Sequence, residues 1–352
     1  MQPVASFGTN PGALAMYEYV PDGLAAGRPL VVVLHGCTQQ ASAMEAAGWN
    51  KLADELGFAV VYPEQSTDNN PVRCFNWAGE YGDTANLERG RGENESIMEM
   101  IDHAIAAHGS DDKRVYIVGF SAGAAFTAVM LATWPERFAG GAIMSGVAYR
   151  CATTVNGAYS CQNPGTSKTA AAWGDLVRGA SSFTGPWPRL QIWHGASDTI
   201  VATMNAGELV KQWTNVHGTD DTADAIEKTG KDTMTQYKAG ANVVVEEHVI
   251  DTMGHAVVIG GADCPSTTGA YFSDQGVCST RSAAAFFDLA GDGSGSGSGS
   301  GSDSGSGSGN DGDGDGEPDT DLPGCSFDAA GGARGFAMVV VGIAFALRRR
   351  RR

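Results

Sequence analysis

The chain has 352 residues, a formal net charge of −17 and 42% apolar residues with seven tryptophans, a composition that excludes a disordered polar chain. Residues 291–352 hold nine acidic and six basic residues, leaving −14 on the rest, and so acidic a body argues against nucleic acid as a partner. No apolar run reaches the roughly 18–20 residues of a membrane span, which excludes an integral transporter. Residues 1–290 are expected to form one well-buried domain. In chain order, the first strong signal is LVVVL (Leu30–Leu34), a run of β-branched residues of the kind buried on both faces of a sheet. A helix over Ala43–Leu56 and a strand over Phe58–Tyr62 follow. Glu93–His108 carries apolar residues at 97, 98, 101 and 105, a helical spacing. Val115–Val118 reads as strand, Ala122–Thr133 as helix, and Ala142–Met144 and Leu190–Trp193 as strands. Ala206–Val216 reads as helix and Val243–Val249 as strand. Strands alternating with helices predict an α/β fold, a mostly parallel sheet with helices on both faces.

Beyond the body, residues 291–320 are almost only Gly, Ser and Asp, a flexible solvated linker. Asp311, Asp313 and Asp315 have the spacing that opens a calcium loop, but Leu322 stands where the bidentate Glu belongs, so the linker reading is preferred. Residues 321–352 place Cys325 before a Gly/Ala-rich spacer, thirteen apolar or small residues (335–347), then Arg348–Arg352. That order resembles the tripartite C-terminal sorting signals of bacteria, most closely the myxobacterial type. It implies a membrane or cell-surface tether read by sorting and processing machinery, with the arginines cytoplasmic.

Cysteines stand at 37, 74, 151, 161, 264, 278 and 325. No CxxC, CxxCH or His-rich cluster points to zinc or haem, and neither metal nor cofactor is expected. Six cysteines allow many connectivities, among which neighbouring pairs are the expectation: Cys37–Cys74, Cys151–Cys161 and Cys264–Cys278. Such bonds imply an oxidising compartment, hence an extracellular or cell-surface location. The opening MQPVASFGTN contains no signal-peptide pattern.

Gly119-Phe-Ser121-Ala-Gly123 lies between a buried strand and a helix. Placed there, GxSxG makes a sharp turn that lifts a serine hydroxyl above the sheet edge, with a helix N-terminus behind it to favour developing negative charge. Ser121 is the candidate nucleophile. It needs a base, and the base an orienting carboxylate, each on a loop after a later strand. Asp198 follows Leu190–Trp193 and His255 follows Val243–Ile250, so the order Ser, Asp, His is met. His194 and Asp251 are rivals; the first reads as a packed residue at its strand's end, the second as shaping the His255 turn. Acyl transfer also needs two N–H donors for the oxyanion. Ala122, directly after the nucleophile, and Cys37, in the loop after LVVVL, are the candidates.

LHGCTQ (34–39), CFNW (74–77), GFSAGAAFTAVMLATWPERFAGGAIMSG (119–146), TGPWPRLQIWHGASD (184–198) and GHA (254–256) resemble the extracellular short-chain polyhydroxyalkanoate depolymerases. The wider esterase group includes feruloyl and acetylxylan esterases. The resemblance spans about residues 4–290. It implies an α/β-hydrolase fold, nucleophile Ser121, orienter Asp198, base His255, the same oxyanion hole and no cofactor. It also implies a polyester or other ester as substrate, poly(3-hydroxybutyrate) or its oligomers first. A feruloyl or acetylxylan esterase is the alternative enzyme. A catalytically silent hydrolase fold displayed as an adhesin is the reading from another class. Two departures from the depolymerase pattern bear on polymer attack: a membrane-directed tail stands where those enzymes carry a polymer-binding domain, and no signal peptide is visible. Trp173, Trp187 and Trp193 are candidates for a substrate groove or for core. The Asp111–Arg114 charges and Arg89 with Arg91 read as surface.

Overall fold

The computed structural model describes residues 1–79 and 83–291. The expectations for the linker, Cys325 and the sorting tail lie outside the described residues. In chain order the strands are β1 (Gln2–Val4), β2 (Ala15–Tyr19), β3 (Leu30–Leu34), β4 (Ala59–Glu64), β5 (Val115–Phe120), β6 (Gly140–Met144), β7 (Arg189–Gly195), β8 (Ala225–Thr229), β9 (Asp232–Ala239), β10 (Asn242–Ile250), β11 (Val257–Ile259) and β12 (Phe272–Asp274). The helices are α1 (Ala41–Glu45), α2 (Trp49–Leu56), α3 (Gly92–His108), α4 (Ala122–Thr133), α5 (Val155–Gln162), α6 (Ala170–Arg178), α7 (Met204–Val216) and α8 (Ser279–Phe286).

Ten strands form one sheet in the order β1-β2-β4-β3-β5-β6-β7-β10-β9-β8. Its centre, β4-β3-β5-β6-β7-β10, is parallel throughout. These are the six strands expected from the sequence. The flanks are antiparallel, β1 and β2 on one side and β8 and β9 on the other. Alternation along β3 explains why an uninterrupted apolar run is needed. Leu30, Val32 and Leu34 face one buried layer with residues of α3, α4, α6 and α7, while Val31 and Val33 face the other with α1, α2 and α8. Among the described residues no helix is long and apolar enough to cross a membrane.

One expected element is corrected. The helix over Ala43–Leu56 is two helices, broken at Gly48, whose φ is +96°. Gly48 takes up the left-handed backbone that separates the two, and a β-carbon there would come within 2.7 Å of Pro265, so the loop after β11 packs against the break and leaves no room for a side chain.

The sulfur pairing is Cys37–Cys74, Cys151–Cys161 and Cys264–Cys278. The first ties the loop after β3 to the loop after β4. The second ties α5 to the segment after β6, and the third brackets the excursion between β11 and α8.

Candidate active site

Parallel strands send their C-terminal loops to one edge of the sheet, where open α/β sheets place their ligands. The loops after β3, β5, β7 and β10 meet there. The turn from β5 into α4 is tight. Gly119 has Gly123 carbonyl oxygen 2.2 Å from where its β-carbon would be, and Gly123 has the carbonyl oxygens of His35 and Leu34 at 2.5 and 2.6 Å. Both glycines are therefore demanded by close approach. The conformational strain falls on Ser121 itself, at φ 55° and ψ −118°. Its N–H donates to Met144 O at 2.9 Å, which fixes the turn to β6.

Ser121 Oγ lies 2.8 Å from His255 Nε2, and His255 Nδ1 lies 2.7 Å from Asp198 Oδ2. Asp198 is 6% exposed, and its other oxygen, Oδ1, accepts N–H bonds from Ile200 and Val201, both at 2.9 Å. Burial works to raise the Asp198 pKa. The hydrogen bond and charge of His255, with the Val201 amide, outweigh it and hold the carboxyl below its usual range. The loops that carry these two residues are in close contact. Ala196 N–H donates to Ile250 O and Ser197 N–H to Met253 O, and a β-carbon at Gly195 would meet Met253 O at 2.3 Å.

The rival residues are held elsewhere. His194 is fully buried, with Nε2 2.8 Å from Val201 O and 3.6 Å from Asp198 Oδ2; desolvation lowers its pKa and keeps it neutral. Asp251 pairs with Lys228 at 2.6 Å on the surface. Trp173 and Trp193 are core residues, the latter stacked on His248 at 3.7 Å. Trp187 precedes β7, so the cleft of about 530 Å³ that it lines lies at the sheet's opposite edge from Ser121. Arg89 lies over Trp134, and Arg91 pairs with Glu88. Asp111 closes a turn, its carboxylate accepting from Lys113 N–H.

In the loop after β3, Cys37 N–H has no acceptor among the described residues, and neither has Ala122 N–H at the first turn of α4. Both strands lie side by side, Leu34 pairing with Gly119, so the two amides border the same edge. The structure adds Tyr271 to the candidates. Its ring is 6.3 Å from that of His255 and 6.1 Å from that of Phe120, it is 44% exposed, and it sits at φ 63°. The sequence clue was an aromatic pair, Tyr271-Phe272, inside a disulfide-closed loop otherwise made of small and polar residues. Among the described residues no group of three or more His, Cys, Asp or Glu side chains is arranged to hold a metal ion.

A parallel sheet covered on both faces, with a strained serine at a strand-to-helix turn, defines an α/β-hydrolase. The sequence pattern described as Esterase PHB depolymerase matches residues 14–236. Poly(3-hydroxyalkanoate) depolymerase C of Paucimonas lemoignei is 47% identical over 293 residues, covering 82% of this chain and 70% of that protein. Feruloyl esterase B of Thermothelomyces thermophilus is 37% identical over 232 residues, 64% of this chain and 77% of that one. The solved acetyl xylan esterase from Aspergillus awamori superposes with a TM-score of 0.69 at 27% identity, covering 82% of this chain and 98% of that chain. The chain belongs to the Esterase PHB depolymerase family and is a carboxylic ester hydrolase.

Proposed function

We propose that this esterase works through an acyl-enzyme on Ser121. His255 Nε2 takes the Ser121 proton as Oγ attacks the ester carbonyl, and the Cys37 and Ala122 N–H groups hold the oxyanion. Collapse of the tetrahedral species breaks the ester C–O bond, and His255 gives its proton to the departing alcohol. Water, deprotonated by the same imidazole, then releases the acid and restores the serine. Asp198 keeps the imidazole proton on Nδ1. The observation that carries the reading is the unbroken hydrogen-bond chain Ser121–His255–Asp198 at the loop edge of the sheet.

The substrate of first choice is poly(3-hydroxybutyrate) or its oligomers. The 47% identity to a poly(3-hydroxyalkanoate) depolymerase supports it. So do the apolar and aromatic side chains exposed on the loops around the site. Exposed Ile200 lies two residues beyond Asp198, exposed Tyr271 borders His255, and exposed Val72 accepts at its carbonyl from Thr38, next to Cys37. A polysaccharide esterase of the feruloyl or acetylxylan kind is the second reading, favoured by the backbone likeness to acetyl xylan esterase. Three disulfides suit an oxidising compartment, and with residues 321–352 they support a protein displayed outside the cytoplasm. Hydrolysis rates on polyhydroxybutyrate film, 3-hydroxybutyrate oligomers, methyl ferulate and acetylated xylan test the choice. Soluble hydroxybutyrate oligomers are expected to be cleaved fastest and crystalline film slowly; preference for ferulate or acetylated xylan would reverse the order of the two readings.

A further inference from the structure

An oxyanion donor on a loop is only as good as the orientation of its peptide. Gly36 offers no side chain to resist rotation of the Gly36–Cys37 peptide plane, and a flip would turn the Cys37 N–H away and put a carbonyl oxygen in its place. In a trans peptide the C=O and the following N–H point in opposite directions. Whatever grips Gly36 O therefore aims Cys37 N–H.

Two groups grip it. His35 Nδ1 lies 2.7 Å from Gly36 O, and Gln39 N–H donates to the same oxygen at 3.2 Å. The His35 tautomer follows from its other nitrogen. Gln65 N–H points at Nε2 from 3.0 Å, so Nε2 accepts and the ring proton sits on Nδ1, where it donates to Gly36 O. His35 is fully buried and tilts against Phe75 at 4.9 Å, so the ring cannot swing away.

Gln65 is placed in turn by a buried carboxylate. Glu93, at the start of α3, is 1% exposed, and Oε1 accepts from Gln65 Nε2 at 2.6 Å and Asn69 Nδ2 at 3.1 Å. Asn76 donates its backbone N–H to Oε2 at 2.8 Å and its Nδ2 to Oε1. Gln65 Nε2 also reaches Cys74 O at 3.2 Å, and Cys74 carries the bond to Cys37. One carboxylate thus gathers the loop after β4 and presents a single backbone donor, Gln65 N–H, to the imidazole behind the oxyanion turn. The CFNW segment has its place here: Cys74 and Asn76 hold the loop, and Phe75 backs the ring.

We propose that His35, held by the Glu93–Gln65 hub, is a positioning residue that fixes the Gly36–Cys37 peptide with its N–H toward the reacting carbonyl. The proposal rests on the reading of Cys37 as an oxyanion donor for Ser121.

The test uses two substitutions in the full chain. His35→Phe keeps a ring against Phe75 and removes both hydrogen bonds. Glu93→Gln sets an NH₂ against the donors that converge on the carboxylate. His35→Phe is expected to lower kcat on 4-nitrophenyl butyrate about 10²-fold, the loss of one oxyanion donor, with KM within about twofold. Glu93→Gln is expected to move kcat the same way, about tenfold, through misplacement of the loop. Affinity for a trifluoromethyl ketone, whose serine adduct carries the oxyanion, should fall by the same factor as kcat/KM, while inhibition by the product acid stays unchanged. If His35→Phe does not fold, Glu93→Gln carries the same comparison. Unchanged kcat in either folded variant would overturn the proposal, as would a lower melting temperature with wild-type kcat per folded molecule. Parallel loss of ketone and product-acid affinity would also overturn it, since that marks a collapsed pocket. Ser121→Ala separates the levels: an active Ser121→Ala protein overturns the serine reading itself, whereas an inactive one beside an unaffected His35→Phe overturns the positioning role alone.

Discussion

Replacing Asp198 with Asn changes one atom, and the structure dictates which way the new amide must face. Asp198 Oδ1 accepts from two backbone donors, Ile200 and Val201 N–H, each at 2.9 Å. An NH₂ at that position would oppose both, so the amide oxygen takes it and the NH₂ is directed at His255. There it stands 2.7 Å from Nδ1, the distance now held by the carboxylate. A donor at that place makes Nδ1 the acceptor and moves the ring proton to Nε2, which faces Ser121 Oγ at 2.8 Å. An Nε2 that already carries a proton cannot accept the serine's. The buried fold tolerates the exchange, because the isostere fills the same volume and keeps both backbone bonds. The expected loss in kcat is about 10⁴-fold, about 5 kcal/mol of transition-state stabilisation, with melting temperature little changed. Steady-state hydrolysis of 4-nitrophenyl butyrate beside a thermal melt measures both. A folded Asp198→Asn protein within tenfold of wild-type kcat would refute the tautomer argument.

Other outcomes follow from separate parts of the molecule. Removing the Cys37–Cys74 bond with paired alanines frees a loop of sequence separation 37 and is expected to cost about 4 kcal/mol of stability in urea denaturation; a variant as stable as wild type would contradict it. His248 lies buried between Asp232 at 2.8 Å and Glu246 at 3.1 Å. Burial lowers its pKa, but the two carboxylates outweigh it and raise it above 6.5. That stabilisation is complete below the unfolded value and is lost as pH rises through the folded one. Wild-type stability should therefore decline above pH 6.5, and His248→Gln should flatten that slope; equal slopes would exclude the ion triad as its cause. Deleting residues 291–352 is expected to leave turnover of soluble esters within about twofold, since every candidate site residue precedes residue 291, and to release the protein from cells. Loss of soluble-ester turnover on deletion would show the tail to be part of the catalytic unit.

The central sheet was legible because burial on both faces writes itself as uninterrupted β-branched runs, as in LVVVL. The flanking strands carry no such mark. In β9, DTMTQYKA alternates polar residues along an antiparallel flank, and β1 is three residues long. Such segments are strands because a neighbour pairs with them. The helix break at Gly48 was hidden in a similar way, since the residue packed against its left-handed backbone is Pro265, more than two hundred positions away. At the site, residues fixed by local turn chemistry and strand order, Ser121, Asp198 and His255, were readable. Glu93 and Gln65 were not. A glutamate in the first turn of an amphipathic helix reads as surface charge, and only the convergence of three amide side chains on it in space reveals a buried hub.

The most direct test of the account is covalent capture of the nucleophile. Full-length protein treated with a fluorophosphonate during ester hydrolysis should gain one label, and peptide mapping should place it on Ser121. Labelling should proceed at the rate at which esterase activity disappears, and Ser121→Ala should take up none. Labelling of another residue, or complete labelling of Ser121 with esterase activity intact, would contradict the account.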